Sequence, residues 1–400
     1  MRVSVLFRGS LRQLNGAASV VRMFDEHKEV FANEGIEFDS MITYDCVDQN
    51  SYAETRQKSS KNQEKKTSTK AKILSWLKAT YLGSCACIEK LHIMRARKLV
   101  EYYSTTAMLE DVLIFHDTFT CFEYLKFAKG NNINKKVIMI HHNTGDEWKS
   151  FRMYYPKLVN SKYYQKLDDM AKTCYSLVDA LVFVSDTSKQ HFIELRGSDY
   201  NSKLHVIKNG INDIGEPAER DYSNLRLITV GTVNERKNQL NLIKCISEIA
   251  DKSIHLEVVG EGATFEACKQ FITEHHMENQ VTMLGKRTDV ADILMNNNVF
   301  ILPSLGEGLP IAGIEALRSG LPLVLTDVGG NKELITDNGL LIETENSSII
   351  AAIEVLNSNK GKLPEMGRCS RAIFKEKFDA VAMIRHYCNL VKTVCKVMEC

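Results

Sequence analysis

Short apolar runs alternate with longer amphipathic segments along this 400-residue chain, and this alternation constrains the fold more than any other feature. The runs are rich in β-branched residues and lack strict apolar–polar alternation, as expected of parallel strands covered on both faces. Five runs predict strands in the first half, namely RVSVLF, DVLIFH, KKVIMIHH, ALVFVS and LHVIKNG. Five more predict strands in the second half, namely LRLITVG, HLEVVGEG, VTMLG, VFILPS and LPLVLTDVGG.

Strands that alternate with helices in both halves predict two doubly wound α/β domains. A length of 400 residues also exceeds what one hydrophobic core usually holds. We expect one domain over residues 1–210 and a second over residues 211–377, with the boundary in the polar, turn-rich stretch 208–225. Such domains bind ligands at the carboxyl ends of their strands, so a cleft between two facing domains is where we expect the chemistry.

The composition is typical of a globular protein without a membrane-spanning segment. Apolar residues make up 44% and charged residues 25%, both ordinary values. No apolar run approaches the roughly 20 residues that span a bilayer, and the run in MRVSVLFRGS is too short for a signal peptide. The eleven cysteines show no regular spacing, so we expect reduced thiols in a cytoplasmic protein.

Positive charge is concentrated in one stretch of the first half. Residues 56–98 carry twelve Lys/Arg and two acids, a balance of +10, whereas the whole chain has a net charge of +1. Within residues 56–82 a polar segment leads into AKILSWLKATYL, whose apolar residues fall on one helical face. Two interpretations stay open: contact with an anionic membrane surface, or a charged loop leading into a domain helix. No recognition motif accompanies the charge, so we do not expect a nucleic-acid partner.

Two carboxylates, Glu307 and Glu315, lie eight residues apart in PSLGEGLPIAGIEALRSGLP, after a predicted strand. Pro310 near the first turn and Gly320 past the last turn predict a helix over 310–319. Glu307 then falls in the strand-to-helix loop and Glu315 within the helix. Carboxylates accept hydrogen bonds from hydroxyls, so the two acids are candidates to bind a sugar and a ribose. The alternative is a structural role at the helix dipole and in an ion pair.

A second candidate is the loop VGTVNERKNQL, in which Arg236 and Lys237 follow a strand and precede a helix. Cations beside a helix N-terminus are unfavourable unless an anion joins them, and a diphosphate would be such an anion. Cations on the surface after a strand are also common, which is the alternative. The nearby VVGEGATF begins as G-x-G but has Phe265 at the third glycine position, so it fails as a dinucleotide fingerprint and predicts a tight turn.

In the first half, Gly16 and its small neighbours open a helix where backbone can approach a ligand closely. His141 and His142 end a predicted strand, and since adjacent strand residues face opposite ways, at most one of them enters a cleft. His116 and Asp117 end another strand. No i,i+4 histidine pair, H-x-x-E pattern or D-x-D accompanies them, so we do not expect a metal site.

Together these motifs resemble the family 4 retaining glycosyltransferases, the glycogen-synthase-like group also called glycosyl transferases group 1. GEGLPIAGIEALRSGLPLVLTDVGGNKELITDNGLLI is similar to the E-x7-E region and the Gly-Gly loop of that family. VGTVNERKNQ resembles its phosphate-binding loop, VVGEGATF its G-x-G turn, and HVIKNGIN its N-G-[VI]-D strand end, with Asn212 in place of Asp. The resemblance implies a GT-B fold, in which two Rossmann-like domains face each other across a cleft. It also implies a final helix over residues 378–400 that crosses back to the first domain.

The resemblance implies roles for individual residues. Glu307 is expected to contact the donor sugar and His142 the reacting sugar, with His141 as the alternative to His142. Donor binding is implied for a further set of residues: Gly16, Arg236, Lys237, Gly308, Leu309 and Glu315. The arginine that usually follows the strand glycine is Thr232 here, and Arg236 is the candidate to replace it.

The activity implied by the resemblance is that of a metal-independent, retaining hexosyltransferase with no cofactor. It would move sugar from a UDP- or GDP-sugar to a glycan or lipid-linked acceptor in bacterial surface polysaccharide synthesis. Two alternatives stay open, a catalytically inactive sugar-nucleotide-binding subunit and a GT-B-fold sugar-nucleotide epimerase. We expect a cytoplasmic location, with residues 56–82 as the candidate contact with the inner face of the cytoplasmic membrane.

Overall fold

The computed structural model of the chain describes residues 1–12, 16–47 and 77–396. It divides into two compact units, one of Met1–Ile207 with Ile384–Cys400 and one of Lys208–Met383. Each unit is built on one parallel six-stranded sheet. Most of the segment 56–82, which we considered for membrane contact, lies outside the described residues.

The strands of both sheets are short and largely buried. In the first unit they are β1 Arg2–Phe7, β2 Glu37–Thr43, β3 Val112–Phe115, β4 Lys136–His141, β5 Ala180–Phe183 and β6 Leu204–Val206. In the second unit they are β7 Arg226–Val230, β8 His255–Val259, β9 Val281–Gly285, β10 Val299–Leu302, β11 Leu323–Thr326 and β12 Gly339–Ile342.

Helices connect the strands of each sheet. Those of the first unit are α1 Gly16–Glu26, α2 Lys28–Asn33, α3 Tyr44–Val47, α4 Tyr81–Ile88, α5 Met94–Tyr103, α6 Thr118–Gly130, α7 Lys149–Tyr154, α8 Lys162–Leu177 and α9 Asp186–Arg196, with a π-helical turn at Glu89–Ile93. Those of the second unit are α10 Gln239–Glu248, α11 Phe265–Glu274, α12 Val290–Met295, α13 Ile311–Arg318, α14 Asn346–Ser358 and α15 Leu363–Lys377. The last helix, α16, runs Ala380–Lys396.

The strand order of each sheet determines where neighbouring loops diverge. The first sheet has the order β2-β1-β3-β4-β5-β6, and the second has β12-β11-β10-β7-β8-β9. The order therefore reverses between β1 and β3 in the first sheet, and between β7 and β10 in the second. In open α/β sheets the loops at such a reversal diverge and leave a crevice for a ligand.

Both sheets have an outer strand that the sequence pattern does not indicate. These strands, β2 and β12, lie at sheet edges and keep several partly exposed positions. A half-exposed strand needs fewer apolar residues than a central one, so its pattern is weak. The ten strands that the pattern does indicate are all present, and the α/β doubly wound prediction is confirmed.

The last helix packs in the first unit from Ile384 onwards. There the Tyr387 ring lies 4.8 Å from the Phe24 ring on α1, between ring centroids. The Lys392 ammonium contacts the Glu34 carboxylate at 2.6 Å. Helix α16 is therefore part of the hydrophobic core of the first unit rather than an appendage.

Candidate functional site

The loop between β7 and α10 holds Lys237 in a fixed position at the strand-order reversal of the second sheet. The side-chain oxygen of Asn234 accepts a hydrogen bond from the Lys237 backbone N–H at 2.9 Å. Gln239, the first residue of α10, donates from Nε2 to the Thr232 carbonyl at 3.2 Å. Gly231 has φ +148, and a Cβ there would lie 3.4 Å from Lys237 Cε. The glycine thus allows a positive φ at the end of β7, and the Lys237 side chain lies within contact distance of it.

Glu307, in the loop after β10, forms ion pairs with both cations of this loop. Its Oε1 lies 2.7 Å from Lys237 Nζ and 3.0 Å from Arg236 Nη1. Arg236 also donates to the Gly306 carbonyl, and its own carbonyl accepts from the Leu305 N–H at 2.7 Å. The two loops are 70 residues apart in sequence, yet they meet where β7 and β10 lie side by side.

Burial and mutual charge determine the ionisation of this cluster. The Glu307 and Lys237 side chains are 7% and 10% exposed, whereas Arg236 is 25% exposed. Burial alone would raise the pKa of Glu307, but Lys237 and Arg236 outweigh it and hold that pKa below its ordinary value. Burial lowers the pKa of Lys237 more than Glu307 raises it, and the nearby Arg236 lowers it further. One buried carboxylate thus faces two cations.

The Gly-Gly loop after β11 packs against the backbone of Glu307. Gly329 has φ +54, and a Cβ there would lie 1.7 Å from the Glu307 carbonyl oxygen. The next residue, Gly330, donates from its N–H to the Gly308 carbonyl at 2.9 Å. The Leu309 carbonyl accepts from Asn209 Nδ2 at 3.2 Å. Gly308 and Leu309, the two residues after Glu307, are therefore held by hydrogen bonds to their carbonyl oxygens.

Glu315 lies within α13, which spans the predicted helix to within one residue at each end. Gly320, with φ +68, lies just past the end of the helix as predicted, and the Leu321 N–H donates to the Ala316 carbonyl at 3.0 Å. Glu315 is half-buried, and its negative charge acts on Arg318. Burial lowers the pKa of Arg318, and the negative charge of Glu315 opposes that shift.

The G-x-G turn after β8 is a packing device, as the missing third glycine predicts. A Cβ at Gly260 would lie 1.9 Å from the Gly231 carbonyl oxygen. A Cβ at Gly262 would lie 2.2 Å from the Val233 carbonyl oxygen. The two glycines therefore allow the loop after β8 to approach the loop that holds Lys237.

In the first unit, the strand-order reversal between β1 and β3 is bridged by an ion pair. Arg8 Nε, just after β1, lies 3.1 Å from Asp117 Oδ1, just after β3. Arg8 Nη1 also lies 2.9 Å from His92 Nδ1 in the π-helical turn. Asp117 caps α6 by accepting from the Thr120 N–H at 3.1 Å. Gly16 is exposed and begins α1 in the same unit.

The adjacent histidines at the end of β4 have different surroundings. His141 is buried, its ring lies 5.0 Å from the Phe183 ring, and its Nδ1 lies 3.0 Å from Glu147 Oε2. Glu147 accepts further hydrogen bonds from Thr118 at 2.6 Å and Asn143 at 2.9 Å. Burial would raise the pKa of Glu147, but His141 and these donors hold it below its ordinary value. His141 is thus part of a structural network.

His142 is partly exposed and contacts a histidine from the neighbouring strand. Its Nε2 lies 2.8 Å from Nδ1 of His116, which follows β3. Burial, and then the charge of His141, lowers the pKa of His142 to about 4. Burial and His142 lower the pKa of His116 as well. Both imidazoles are therefore neutral near pH 7.

Several residues of these sites carry no sequence signal of their own. Asn234 and Glu147 position Lys237 and His141, but polar residues in loops are too common to single out. Arg8 falls outside every motif recognised in the chain, although it bridges β1 and β3. The described residues contain no group of three or more His, Cys, Asp or Glu side chains that could hold a metal ion. Within residues 1–12, 16–47 and 77–396, no helix has both the length and the apolar character that crossing a bilayer requires.

Comparison with known proteins identifies the protein family to which the second unit is related. The family model "Glycosyl transferases group 1" matches residues 224–359, which include Arg236, Lys237, Glu307 and Glu315. The second unit carries a group 1 glycosyltransferase domain. The resemblance seen in the motifs is thereby confirmed.

Curated relatives of the chain include bacterial glycosyltransferases. The UDP-Gal:alpha-D-GlcNAc-diphosphoundecaprenol alpha-1,3-galactosyltransferase of Escherichia coli is 31% identical over 178 residues, which are 40% of this chain and 46% of that protein. The putative glycosyltransferase EpsF of Bacillus subtilis is 28% identical over 188 residues, 44% of this chain and 48% of that protein. The matches span about half the length of the curated relatives.

Solved structures with the same fold extend beyond the glycosyltransferase domain. Sucrose-phosphate synthase from Thermosynechococcus elongatus superimposes with a TM-score of 0.75 at 15% identity, over 99% of each chain. HepE from Anabaena, in complex with UDP-glucose, superimposes with a TM-score of 0.69 at 15% identity, over 98% of this chain and 99% of that one. These likenesses confirm the α/β, two-domain GT-B fold that the sequence predicts.

Proposed function

We propose that the protein is a retaining glycosyltransferase that moves a hexosyl group from a UDP- or GDP-sugar to a glycan or lipid-linked acceptor. The biological setting we propose is bacterial surface polysaccharide synthesis on the cytoplasmic side of the membrane. The observation that carries the proposal is the buried cluster of Arg236, Lys237 and Glu307 within the group 1 glycosyltransferase domain. The relatives named above, which are glycosyltransferases by name, support the same activity.

The charge of the cluster suits a diphosphate. Two cations meet one carboxylate beside a strand-order reversal, where ligands of such sheets bind. A diphosphate would be attracted to the two cations, with Lys237 and Arg236 as its partners. Arg236 would then supply the charge that the usual arginine, replaced here by Thr232, supplies in relatives. Because the cluster is largely buried, its electrostatic stabilisation of a leaving diphosphate would be stronger than in water.

The carboxylates suit the hydroxyls of the donor. Glu307 is kept ionised by its two cations, so it can accept hydrogen bonds from a sugar hydroxyl. Gly308 and Leu309, held by backbone contacts, would border the same sugar. Glu315 on α13 would accept from the ribose hydroxyls. Gly16, at the start of α1, would allow a phosphate to approach the helix N-terminus.

The chemistry that we propose needs no covalent intermediate. Negative charge develops on the departing diphosphate, which takes the proton of the acceptor hydroxyl while the new bond forms on the same face. His142, a neutral imidazole, would hydrogen-bond the reacting sugar. We propose that Lys237 and Arg236 stabilise the leaving group in place of a metal ion.

Donor binding is tested by a thermal-shift screen of UDP-, GDP- and ADP-sugars. A ligand present at about 100 times its Kd stabilises the folded state by about 2.7 kcal/mol, so the matching donor should raise the Tm by several degrees. Lys237→Ala and Arg236→Ala should abolish the shift. Lys269→Ala, an exposed lysine on α11, is the matched control and should keep it. A full shift in Lys237→Ala would contradict the assignment.

Transfer itself is tested with the donor that binds and a panel of glycan and lipid-linked acceptors. NMR of the anomeric proton of the product distinguishes retention from inversion, and assay with and without EDTA tests metal independence. Two alternatives have distinct outcomes. A binding subunit would bind donor without hydrolysis or transfer, and an epimerase would interconvert nucleotide sugars without acceptor.

The basic segment supports a lipid-linked acceptor at an anionic membrane surface. Tyr81 and Leu82, the last residues of this segment and the first of α4, are 42% and 78% exposed. Deleting residues 56–76 leaves the Thr80 cap of α4 in place. The deletion should weaken co-sedimentation with anionic vesicles but not with zwitterionic ones, and salt should weaken the wild-type interaction. Unchanged binding to anionic vesicles would contradict the proposed role of this segment.

A further inference from the structure

The contact between His116 and His142 has the geometry of a strong hydrogen bond between two rings. Nδ1 of His116 lies 2.8 Å from Nε2 of His142. The ring centroids are 5.1 Å apart and the ring planes differ by 11°. Rings stacked face to face keep their atoms about 3.5 Å apart or more, so the two imidazoles instead lie side by side in nearly one plane. An N–H on one ring then points at the lone pair of the other.

Burial lowers the pKa of both His116 and His142, so both rings are neutral near pH 7 and one of them donates to the other. In a neutral imidazole one nitrogen carries the proton and the other accepts. The hydrogen bond therefore allows two arrangements, in which either His116 Nδ1 or His142 Nε2 carries the shared proton. The surroundings of the remaining nitrogen on each ring decide between them.

The far nitrogen of His116 lies in an apolar pocket. His116 is 6% exposed, and within the described part of the chain its Nε2 is buried without a hydrogen-bond partner. The Phe7 and Phe24 rings pack against it, with centroids 5.9 and 5.7 Å away. Buried N–H groups without an acceptor are rarer in proteins than buried acceptors without a donor. The proton of His116 is thus better placed on Nδ1, where it has an acceptor.

The geometry points to His116 as a positioning residue that donates from Nδ1 to His142 and so keeps the His142 proton on Nδ1. His142 is then a neutral ring with one N–H available. Within residues 1–12, 16–47 and 77–396, His142 Nδ1 has no hydrogen-bond partner. It therefore presents a hydrogen-bond donor of fixed direction at the carboxyl end of β4.

This inference rests on the proposed function for its consequence in catalysis. A ligand oxygen that meets His142 Nδ1 must accept a hydrogen bond, as a sugar hydroxyl or a phosphate oxygen does. A fixed N–H donor favours binding and orientation of that oxygen rather than removal of a proton from it. His142 would thus act on the sugar as a donor and not as a general base.

The tautomer can be read directly from the ligand-free protein, without any assay of transfer. Two-bond 1H–15N correlation spectra of protein labelled at histidine distinguish Nδ1–H from Nε2–H rings, and His142→Gln identifies the His142 signal. We expect Nδ1–H for His142 in the wild type. His116→Asn should preserve it, because an asparagine amide can donate from nearly the position of Nδ1. His116→Asp should move the proton to Nε2, because a carboxylate only accepts.

Kinetics on the same variants test the consequence. His116→Asn should keep kcat/KM within a few-fold, whereas His116→Asp should lower it by about tenfold or more, as expected for loss of an oriented hydrogen bond. Finding His142 as Nε2–H in the wild type would overturn the inference, as would a tautomer unchanged in His116→Asp. If His116→Asp does not fold, His116→Leu replaces it and should give a mixture of tautomers. A protein that shows the expected tautomer but no transfer would refute the proposed function alone.

Discussion

The ammonium of Lys237 lies 2.7 Å from the carboxylate of Glu307, and both groups are almost completely buried. Removing two charges from water costs several kcal/mol per ion, and the attraction between them must offset this. A partly exposed Arg236 adds a second cation to the same carboxylate oxygen. The buried ion pair therefore contributes little net stability to the fold, but its cations are well suited to bind an anion. The contributions of these residues to folding and to ligand binding should be separable by mutation.

A double-mutant cycle measures the coupling of this pair. Glu307→Gln leaves two cations facing each other, whereas Lys237→Met leaves Glu307 with Arg236. We therefore expect Glu307→Gln to cost about 3 to 5 kcal/mol of unfolding free energy and Lys237→Met to cost less. The double variant should cost at least about 1 kcal/mol less than the sum of the two. Urea denaturation measures all four proteins, and strict additivity would show that the ion pair makes no contribution.

Gly329→Ala should disrupt the Gly-Gly loop after β11 through the backbone alone. Its φ of +54 disfavours any side chain, and a Cβ would lie 1.7 Å from the Glu307 carbonyl oxygen. We expect a loss of at least about 2 kcal/mol in stability and loss of the thermal shift with donor. Gly361→Ala is the matched control in the same unit, because a Cβ there has no neighbour within 4 Å. Equal Tm values for the two variants would contradict this prediction.

Acidification should weaken the first unit through His142. The pKa of His142 in the folded protein is about 4, because of burial and then His141, so the ring stays neutral while the unfolded chain takes up a proton below about 6.5. Stability is therefore lost as the pH falls from about 6.5 towards 4 and is level above that range. Between pH 7 and 5 the wild type should lose about 1 to 2 kcal/mol more than His142→Gln. Thermal unfolding at both pH values measures this difference, and parallel loss in the two proteins would count against it.

Substitution of His141 should mainly lower stability, whereas substitution of His142 should mainly lower activity. His141→Asn leaves Glu147 buried with fewer donors and opens space beside Phe183, so we expect a destabilisation of about 2 to 4 kcal/mol. His142→Asn should lower the transfer rate strongly but should change the Tm only slightly. Urea denaturation and initial rates of transfer on both variants provide the comparison. The reverse pattern would assign the functional ring to His141 instead.

The sequence predicts the fold well because the central strands of parallel sheets are apolar throughout. It indicates ten strands and places α13 to within one residue, since Pro310 and Gly320 determine the ends of that helix. It does not indicate β2 and β12, whose edge positions leave them partly exposed. Strands and helix ends can thus be predicted from the sequence wherever burial or a turn restricts which residue types are tolerated.

The pairing of site residues could not be predicted in the same way. Glu307 and Lys237 are each candidates from their own motifs, but their contact joins loops 70 residues apart and depends on the strand order. The same holds for His116 and His142, which meet because β3 and β4 are neighbours. Motifs nominate residues one at a time, and only the assembled sheet determines which of them share a proton or a charge.

The close fit of Gly329 against the Glu307 carbonyl bears on how such domains can be recombined. The loop after β10 and the loop after β11 are packed backbone against backbone at this point. A shift of either backbone towards the other would produce a steric clash, so the conformations of the two loops depend on each other. A chimera with a crossover between residues 310 and 328 would join one parent's loop to the other's, with no side chain to adjust the mismatch. Parents should therefore be joined before residue 299 or after residue 342, so that residues 299–342 are exchanged as one block.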